Sequence, residues 1–376
     1  MRARDLGIRI GLGTPGPFNA ITDVAGVTVG HTTLIRGDGP LIVGSGPVRT
    51  GVTVVRPRGS GDGREPVFAG CHRLNGNGEL TGLEWIRESG MLTGPVAITN
   101  THSVGIVRDA LVAASVAGSH DPSQADWSLP VVGETYDGLL NDINGFHVRA
   151  EHLVQALGAA AGGPVAEGTV GGGTGMICHE FKGGIGTASR VIDAAAGGWT
   201  VGVLVQANYG KRDWLRVDGV RVGEAIPTSE VPSPYDHAAR PRSLPPGSGS
   251  IIVVIATDAP LLPHQCERLA QRAGLGIARV GGTGGHTSGD LFLAFATGNH
   301  LLPVTDDEDP HGLGTYSVRA VGDIAIDRLF DAVIESTEEA IVNALVAAET
   351  VVGRDGITAH ALPHDRLREV MAAHGR

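Results

Sequence analysis

The stretch PGSGSIIVVIATDAPL, which begins at Pro246, joins a proline-rich segment to an apolar run. The segment from Pro227 to Pro246 is polar and rich in proline, a composition that predicts an exposed loop. The run IIVVIA, which begins at Ile251, is short and β-branched, as is typical of a fully buried strand. Gly249 and Ser250 therefore lie where a loop enters the core of the fold.

Ser250 can react twice at such a junction. In the intact chain its hydroxyl can attack the carbonyl carbon of Gly249, because glycine offers the least steric resistance to the bent backbone that this requires. Hydrolysis of the resulting ester makes Ser250 a new N-terminus, with its α-amine beside its own hydroxyl. An α-amine titrates near ~8 and can act as a general base for that hydroxyl. On these residues alone, an ordinary Gly-Ser turn before a strand is the simpler alternative.

Six further segments of the chain, together with this junction, resemble a known family in both sequence and order. They are NAITDVAGVTVGHTT from Asn19, HRLNGNGELTGLEW from His72, ETYDGLLNDING from Glu134, GGGTGMICHEFKGGIGTASR from Gly171, LVQANYG from Leu204 and GGHTSGDLFLAF from Gly284. The family is that of the L-aminopeptidase/D-amidase-esterases and β-peptidyl aminopeptidases, which are N-terminal-serine hydrolases. The resemblance implies self-cleavage between Gly249 and Ser250, into a larger product 1–249 and a smaller product 250–376.

The same resemblance implies the fold and the assembly. It predicts a four-layer α/β/β/α sandwich like that of the N-terminal-nucleophile hydrolases, related to the ornithine-acetyltransferase type, with strands of both products in one core. It also implies a homotetramer of cleaved protomers. Short strands mixed with a few longer helices, without strict βαβ alternation, independently indicate stacked α and β layers. Because the sequence contains no dividing linker, residues 1–376 are expected to form a single domain.

Periodicity predicts several individual elements. VGVLVQAN from Val201 and LFLAFAT from Leu291 have the apolar character of buried strands. A short helix is expected from Gln265 to Ala273, with Gly274 as its stop signal. The longest helix is expected over about 324–349, where apolar residues recur at helical spacing.

Composition and charge limit the possible partners and locations. The 376 residues are 41% hydrophobic, enough for a large core, and carry a net charge of −11. That acidic balance argues against nucleic acid and anionic membranes as partners, because few cations are available to neutralise phosphates. No window approaches a membrane span or a signal peptide. Three widely separated cysteines fit a reducing compartment, so a cytoplasmic protein is expected.

Asn208 and Tyr136 are candidates to stabilise the oxyanion formed when Ser250 attacks a carbonyl. Asn208 follows a predicted buried strand, where its neutral amide can donate a hydrogen bond. A turn asparagine is the alternative for this position. Tyr136 can donate from its hydroxyl or relay a proton, although such a tyrosine is more often a packing residue. The resemblance implies that the asparagine binds the substrate carbonyl oxygen and that the tyrosine belongs to the catalytic site.

Three acidic or hydroxyl side chains complete the candidate site. Glu134 would share a strand face with Tyr136, and its carboxylate is a natural partner for a substrate ammonium, although an isolated glutamate is usually solvated. The resemblance implies an acidic amine anchor at this position. Ser288 and Asp290 are also two residues apart, and could orient the Ser250 hydroxyl and stabilise its amine. Turn chemistry is the alternative for this pair, and some family members have glutamate in place of Asp290.

Other chemistries are less well supported. The glycine-rich stretches 171–175 and 281–285 match neither GxGxxG nor GxxxxGK[ST], so a nucleotide site is not expected. The histidines show no HExxH spacing, and no metal or organic cofactor is expected. Cys178 lies in an apolar stretch and is predicted to belong to the core. For Lys182, a structural or ion-paired role is favoured over a catalytic one. No G-x-S-x-G elbow frames any serine.

The sequence therefore predicts an aminopeptidase that hydrolyses N-terminal α- or β-aminoacyl peptides, amides or esters. Two alternatives remain open. One is a self-processing acyltransferase of the ornithine-acetyltransferase type, against which Ser250 argues because that type has threonine at the cleavage point. The other is an uncleaved binding protein on the same fold.

Overall fold

Two β-sheets form the centre of the computed structural model, which describes residues 1–59, 65–118, 127–240, 247–300, 302 and 315–376. Its strands are β1 (Thr28–Arg36), β2 (Val48–Arg56), β3 (Val67–Gly76), β4 (Met91–Leu92), β5 (Val96–Asn100), β6 (Val131–Thr135), β7 (Ile177–Cys178), β8 (Phe181–Lys182), β9 (Gly184–Val191), β10 (Thr200–Asn208), β11 (Ser250–Thr257), β12 (Gly289–Ala296), β13 (Val351–Val352) and β14 (Thr358–Ala359). The α-helices of the described residues are α1 (Leu83–Ser89), α2 (Val104–Ala117), α3 (Ala150–Gly158), α4 (Val222–Ala225), α5 (Pro263–Val280), α6 (Asp327–Ala347) and α7 (His364–Ala373).

Helices cover the outer face of each main sheet. The six-stranded sheet has the order β4-β3-β12-β11-β10-β9, and α5 and α6 pack against it. The four-stranded sheet has the order β1-β2-β5-β6, and α2 and α3 pack against that one. Apolar side chains of both sheets meet between them. This arrangement is the predicted α/β/β/α sandwich, so the predicted fold class is confirmed.

Strand β11 shows why the run after Ser250 is apolar without interruption. It lies between β10, to which it is antiparallel, and β12, to which it is parallel, and all eight of its residues are buried. Successive side chains of a strand point to opposite faces. Ile251, Val253 and Ile255 pack toward α5 and α6. Ile252, Val254 and Ala256 pack toward the four-stranded sheet. Strands from both sides of the Gly249–Ser250 bond thus share one core.

Helix α5 is longer than predicted. It does not stop at Gly274 but continues through it to Val280, and ends before Gly281, which has φ 102°. Gly276 lies against α6 so closely that a Cβ there would be 2.6 Å from the Thr337 Cβ. Packing against α6 therefore outweighs the low helix propensity of glycine.

The proline-rich segment is less exposed than predicted. Within its described part, Val231, Pro234 and Tyr235 are buried. The Tyr235 hydroxyl donates to the Ser248 carbonyl oxygen at 3.2 Å, just ahead of the predicted cleavage point. Residues 241–246 lie outside the described residues. The described part thus helps to fix the chain that leads into β11.

None of the helices in the described part of the chain is both long enough and apolar enough to cross a membrane.

Candidate active site

The candidate residues meet at one end of the strands of the six-stranded sheet. Ser250 begins β11 and is paired with Asn208, the last residue of β10. On its other side, β11 runs parallel to β12, which begins with Gly289 and Asp290. The Ser250 side chain is only 6% exposed. The sheet register therefore brings together three residues that are 42 and 40 positions apart in the chain.

Gly249 has a backbone conformation that only glycine adopts readily. Its φ of 153° lies in the positive region that side chains disfavour. A Cβ at this position would lie 1.8 Å from the Asn208 carbonyl oxygen. A larger residue would therefore push Ser250 away from Asn208.

The Ser250 hydroxyl oxygen accepts a hydrogen bond from the Gly289 backbone N–H at 3.0 Å. Because the oxygen is the acceptor in this bond, the hydroxyl proton remains available for transfer to a base. The Ser288 hydroxyl donates to Asp290 Oδ1 at 2.5 Å, as expected for two side chains on the same face. The sequence did not reveal the Gly289 contact, since a backbone donor leaves no signal in the residue type.

Asp290 is a buried carboxyl whose pKa is shifted by its surroundings. Burial raises the pKa of Asp290 to about 6, whereas hydrogen bonds from the Ser288 hydroxyl and the Ile251 backbone N–H act in the opposite direction. A carboxyl that titrates near neutral pH is suited to proton handling.

The Asn208 side-chain amide is held at both ends. Its Oδ1 accepts from the Ile177 N–H at 2.8 Å, and its Nδ2 donates to the Tyr136 carbonyl oxygen at 3.1 Å. Because a backbone N–H can only donate, the Ile177 contact fixes which end of the amide carries the oxygen. The second N–H of Nδ2 has no partner among the described residues, so it can donate to an oxyanion.

Tyr136 enters this arrangement through its carbonyl oxygen. It follows β6 and is half-buried. Its ring folds over Gly138, where a Cβ would lie 2.3 Å from the tyrosine hydroxyl. Burial, supported by the charge of Asp137, raises the pKa of Tyr136 above its ordinary value, so the hydroxyl stays protonated and can donate. In the described part of the chain this hydroxyl is not hydrogen-bonded to Ser250.

Glu134 is a buried carboxylate, 4% exposed, and not the solvated side chain that an isolated glutamate usually is. Its Oε1 accepts from the Glu79 N–H at 3.0 Å, and its Oε2 accepts a short hydrogen bond from the Thr101 hydroxyl. Burial raises the pKa of Glu134, although these two hydrogen bonds oppose the rise. No cationic side chain of the described residues is paired with it, so it can receive a cation from a substrate.

Gly78 links this carboxylate to the nucleophile. A Cβ on Gly78 would lie 3.1 Å from Glu134 Oε1 and 3.0 Å from the Gly289 Cα. The Gly289 N–H in turn contacts Ser250. The predicted amine anchor and the glycine that contacts the predicted nucleophile therefore both pack against Gly78.

The side chains of the remaining sequence candidates are not hydrogen-bonded to Ser250, Asn208 or Asp290 within the described residues. Cys178 is buried in the core as predicted, and burial raises the pKa of its thiol to about 12, which keeps it a poor nucleophile. Gly171–Gly173 forms a buried turn. Lys182 is buried, and among the described residues it lacks the ion pair that was one of its predicted roles. Among the residues that the structure describes, no three His, Cys, Asp or Glu side chains are grouped to hold a metal ion.

Comparison with known sequences gives one consistent result. Residues 19–359 match Peptidase family S58. The beta-peptidyl aminopeptidase BapA of Sphingosinicella microcystinivorans is 51% identical over 378 residues, which covers 100% of this chain and 93% of that protein. BapA of Sphingosinicella xenopeptidilytica is 47% identical, with 99% and 91% covered.

Comparison with solved structures agrees. A beta-aminopeptidase of a Burkholderia species superimposes with a TM-score of 0.90 at 58% identity, and the match covers 100% of this chain and 99% of that chain. The L-aminopeptidase D-Ala-esterase/amidase of Ochrobactrum anthropi superimposes with a TM-score of 0.88 at 46% identity, with 100% and 99% covered. That enzyme is described as a prototype for the serine aminopeptidases and a variant of the Ntn hydrolase fold.

Proposed function

The chain belongs to peptidase family S58 and is a serine aminopeptidase of the N-terminal-nucleophile type, and we propose that Ser250, released by cleavage of the Gly249–Ser250 bond, is its nucleophile. The observation that carries this proposal is the position of Ser250 at the head of a core strand, paired with Asn208 and contacted by the Gly289 N–H. Neither the acyltransferase nor the uncleaved binding protein is favoured, because the relatives are aminopeptidases.

Maturation begins in the intact chain. The Ser250 hydroxyl oxygen attacks the Gly249 carbonyl carbon, the C–N bond breaks, and the acyl group moves from nitrogen to oxygen as an ester. Water then hydrolyses the ester and leaves a carboxylate on Gly249 and an α-amine on Ser250. The products 1–249 and 250–376 remain one domain, because β11 and β12 stay paired with β10 and β3.

Turnover uses the new amine. The Ser250 α-amine takes the hydroxyl proton while the oxygen attacks the substrate carbonyl, and the free N–H of Asn208 Nδ2 binds the developing oxyanion. The proton passes to the leaving amine or alcohol, and water releases the acyl group. Ser288 and Asp290 support the protonated α-amine, and the Tyr136 hydroxyl is a further donor at the site. None of these steps requires a metal or an organic cofactor.

Substrate selection rests on Glu134. A carboxylate that is buried and unpaired with any described cation binds an ammonium group strongly, because both charges are shielded from water. Substrates are therefore peptides, amides or esters with a free amine on the acyl residue. Two relatives are named as β-peptidyl aminopeptidases, so we include β-aminoacyl groups alongside α-aminoacyl groups.

We also propose a homotetramer of cleaved protomers in the cytoplasm. The support is the family resemblance together with three cysteines that are buried and free of disulfides. Native mass spectrometry of the purified protein tests the assembly, since a monomeric cleaved enzyme with full activity would contradict it.

The proposed maturation is tested on a denaturing gel. Wild-type protein is expected to give two fragments, and N-terminal sequencing of the smaller is expected to begin Ser-Ile-Ile-Val. A fully active preparation that remains one uncleaved chain would overturn the proposal.

A further inference from the structure

Lys182 is a fully buried lysine that the mechanism above does not use. Its side chain is 0% exposed and its Nζ donates to two backbone carbonyls, those of Gly173 at 3.0 Å and Gly183 at 2.7 Å. It makes no ion pair with a carboxylate of the described residues. Burial lowers the pKa of Lys182 to about 7, although Cys178 acts in the opposite direction. Burying an amine costs folding free energy unless the amine is hydrogen-bonded, so these two contacts are needed to keep Lys182 in the core.

The backbone of Lys182 lies directly across from the residue that orients Asn208. In the β7–β8 hairpin, Lys182 is paired with Ile177. The Ile177 N–H is the donor that fixes the oxygen end of the Asn208 amide. The hairpin is therefore one of the two supports of the Asn208 amide, and the other is the Tyr136 carbonyl oxygen.

The side chain of Lys182 ties the two ends of this hairpin together. Gly173 precedes β7 and also accepts from the Met176 N–H at 3.2 Å, whereas Gly183 follows β8 and donates to the Met176 carbonyl oxygen at 2.8 Å. By binding the carbonyls of both glycines, Nζ bridges the chain on either side of the hairpin. Both glycines are buried, so water cannot take the place of Nζ as the hydrogen-bond donor to their carbonyl oxygens unless the core opens.

We propose that Lys182 is a positioning residue for Asn208: it holds the β7–β8 hairpin so that the Ile177 N–H turns the Asn208 Nδ2 toward the oxyanion. The proposal rests on the oxyanion role of Asn208 in the proposed function. An ammonium has three N–H donors and a neutral amine has two, so the two carbonyl contacts survive deprotonation. Lys182 therefore acts through hydrogen bonds, and its loss affects the transition state more than substrate binding.

The experiment is a double-mutant cycle between Lys182 and Asn208. Turnover is measured per cleaved Ser250 N-terminus, counted by mass spectrometry, so that incomplete maturation does not enter kcat. Lys182→Met alone is expected to lower kcat on the order of 10-fold, with KM changed less than about twofold. In the Asn208→Ala background the same change is expected to have no further effect on kcat.

Two further variants make the result decisive. Lys211 is the other lysine of the chain, exposed, with its Nζ 4.9 Å from the centre of the Trp214 ring, and Lys211→Met is expected to leave kcat unchanged. If Lys182→Met does not fold, Lys182→Gln retains two N–H donors on a shorter side chain and is used in the same cycle.

The outcomes separate the inference from the function on which it rests. Equal losses of kcat in the wild-type and Asn208→Ala backgrounds, or no loss in the wild type, would overturn the positioning role. A wild-type protein that is never cleaved, or an Asn208→Ala variant with normal kcat, would instead show that the proposed function is wrong.

Discussion

At one end of the four-stranded sheet, β5 and β6 lead to Asn100 and Thr135, beside the buried carboxylate of Glu134. At the other end, the same two strands begin at the wall of a cavity of about 240 Å³. Val131, the first residue of β6, lines the cavity and Glu134 is three residues farther along, so the two regions are about 10 Å apart along that strand. The cavity is lined mainly by apolar side chains such as Trp85 and Leu111.

Under the proposed function, apolar space does not by itself identify the catalytic centre. A sizeable apolar pocket is the usual first hypothesis for a ligand site. In the proposed function the chemistry takes place instead where a hydroxyl, an amide and two buried carboxyls converge, namely at Ser250, Asn208, Glu134 and Asp290. The following predictions test whether function is confined to the end of the strands at which these four residues lie.

The largest effect is expected at Ser250. Ser250→Ala removes the hydroxyl used for both cleavage and turnover, so the chain should remain full length and inactive. The matched change Ser128→Ala, in the wall of the cavity, should alter neither. Gel electrophoresis and assays with aminoacyl anilides measure both properties. A cleaved or active Ser250→Ala protein would exclude Ser250 as the nucleophile.

Asn208→Ala should lower kcat by a factor on the order of 10²–10³, because one oxyanion donor is lost while the substrate amine is still bound by Glu134. KM should change little. Asn144→Ala, at an exposed position, serves as the control. Steady-state kinetics at saturating substrate makes the measurement, and a change confined to KM would contradict an oxyanion role.

Glu134→Gln should raise KM by roughly 10- to 100-fold for substrates with a free amine, since the charge is lost but the Glu79 and Thr101 contacts can be retained. An amine-capped substrate should be poor for the wild type and no worse for the variant. Glu79→Gln, which neutralises an exposed carboxylate nearby, is the matched control. Equal losses on capped and free substrates would rule out Glu134 as the amine anchor.

The pH dependence of kcat/KM should reveal Asp290. Below ~8 the rate falls as the Ser250 α-amine becomes protonated. Below the Asp290 pKa of about 6 the carboxylate also gains a proton, so the wild-type rate should fall by a further factor of about ten per pH unit. Asp290→Asn should lack this second bend. Ser288→Ala should move it to higher pH, because the Ser288 hydroxyl lowers the pKa of Asp290. An unchanged bend in Asp290→Asn would assign it to another group.

Much of this arrangement could be predicted from sequence, but not its supporting contacts. The run after Ser250 indicated a strand buried on both faces, and family resemblance supplied the layer order and the candidate side chains. The Gly289 and Ile177 donors could not be predicted, because a backbone N–H exists at nearly every residue and only the fold aims it. The predicted length of α5 was wrong for a related reason. The contact of Gly276 with α6 depends on the tertiary fold and leaves no signal in the local sequence.

The smallest effect is expected at the cavity. Ala114 on α2 lines it, so Ala114→Leu should fill apolar space and raise the free energy of unfolding by about 1 kcal/mol. The neighbouring Ala113 is exposed on the same helix, and Ala113→Leu should give no comparable gain. Thermal or denaturant unfolding measures stability, and anilide hydrolysis measures kcat/KM, which should stay within about twofold of the wild type for both variants. Strands β5 and β6 connect the cavity to the Glu134 region. A marked change in kcat/KM for Ala114→Leu alone would therefore mean that the two ends of these strands are coupled, and that function is not confined to the end that contains Glu134.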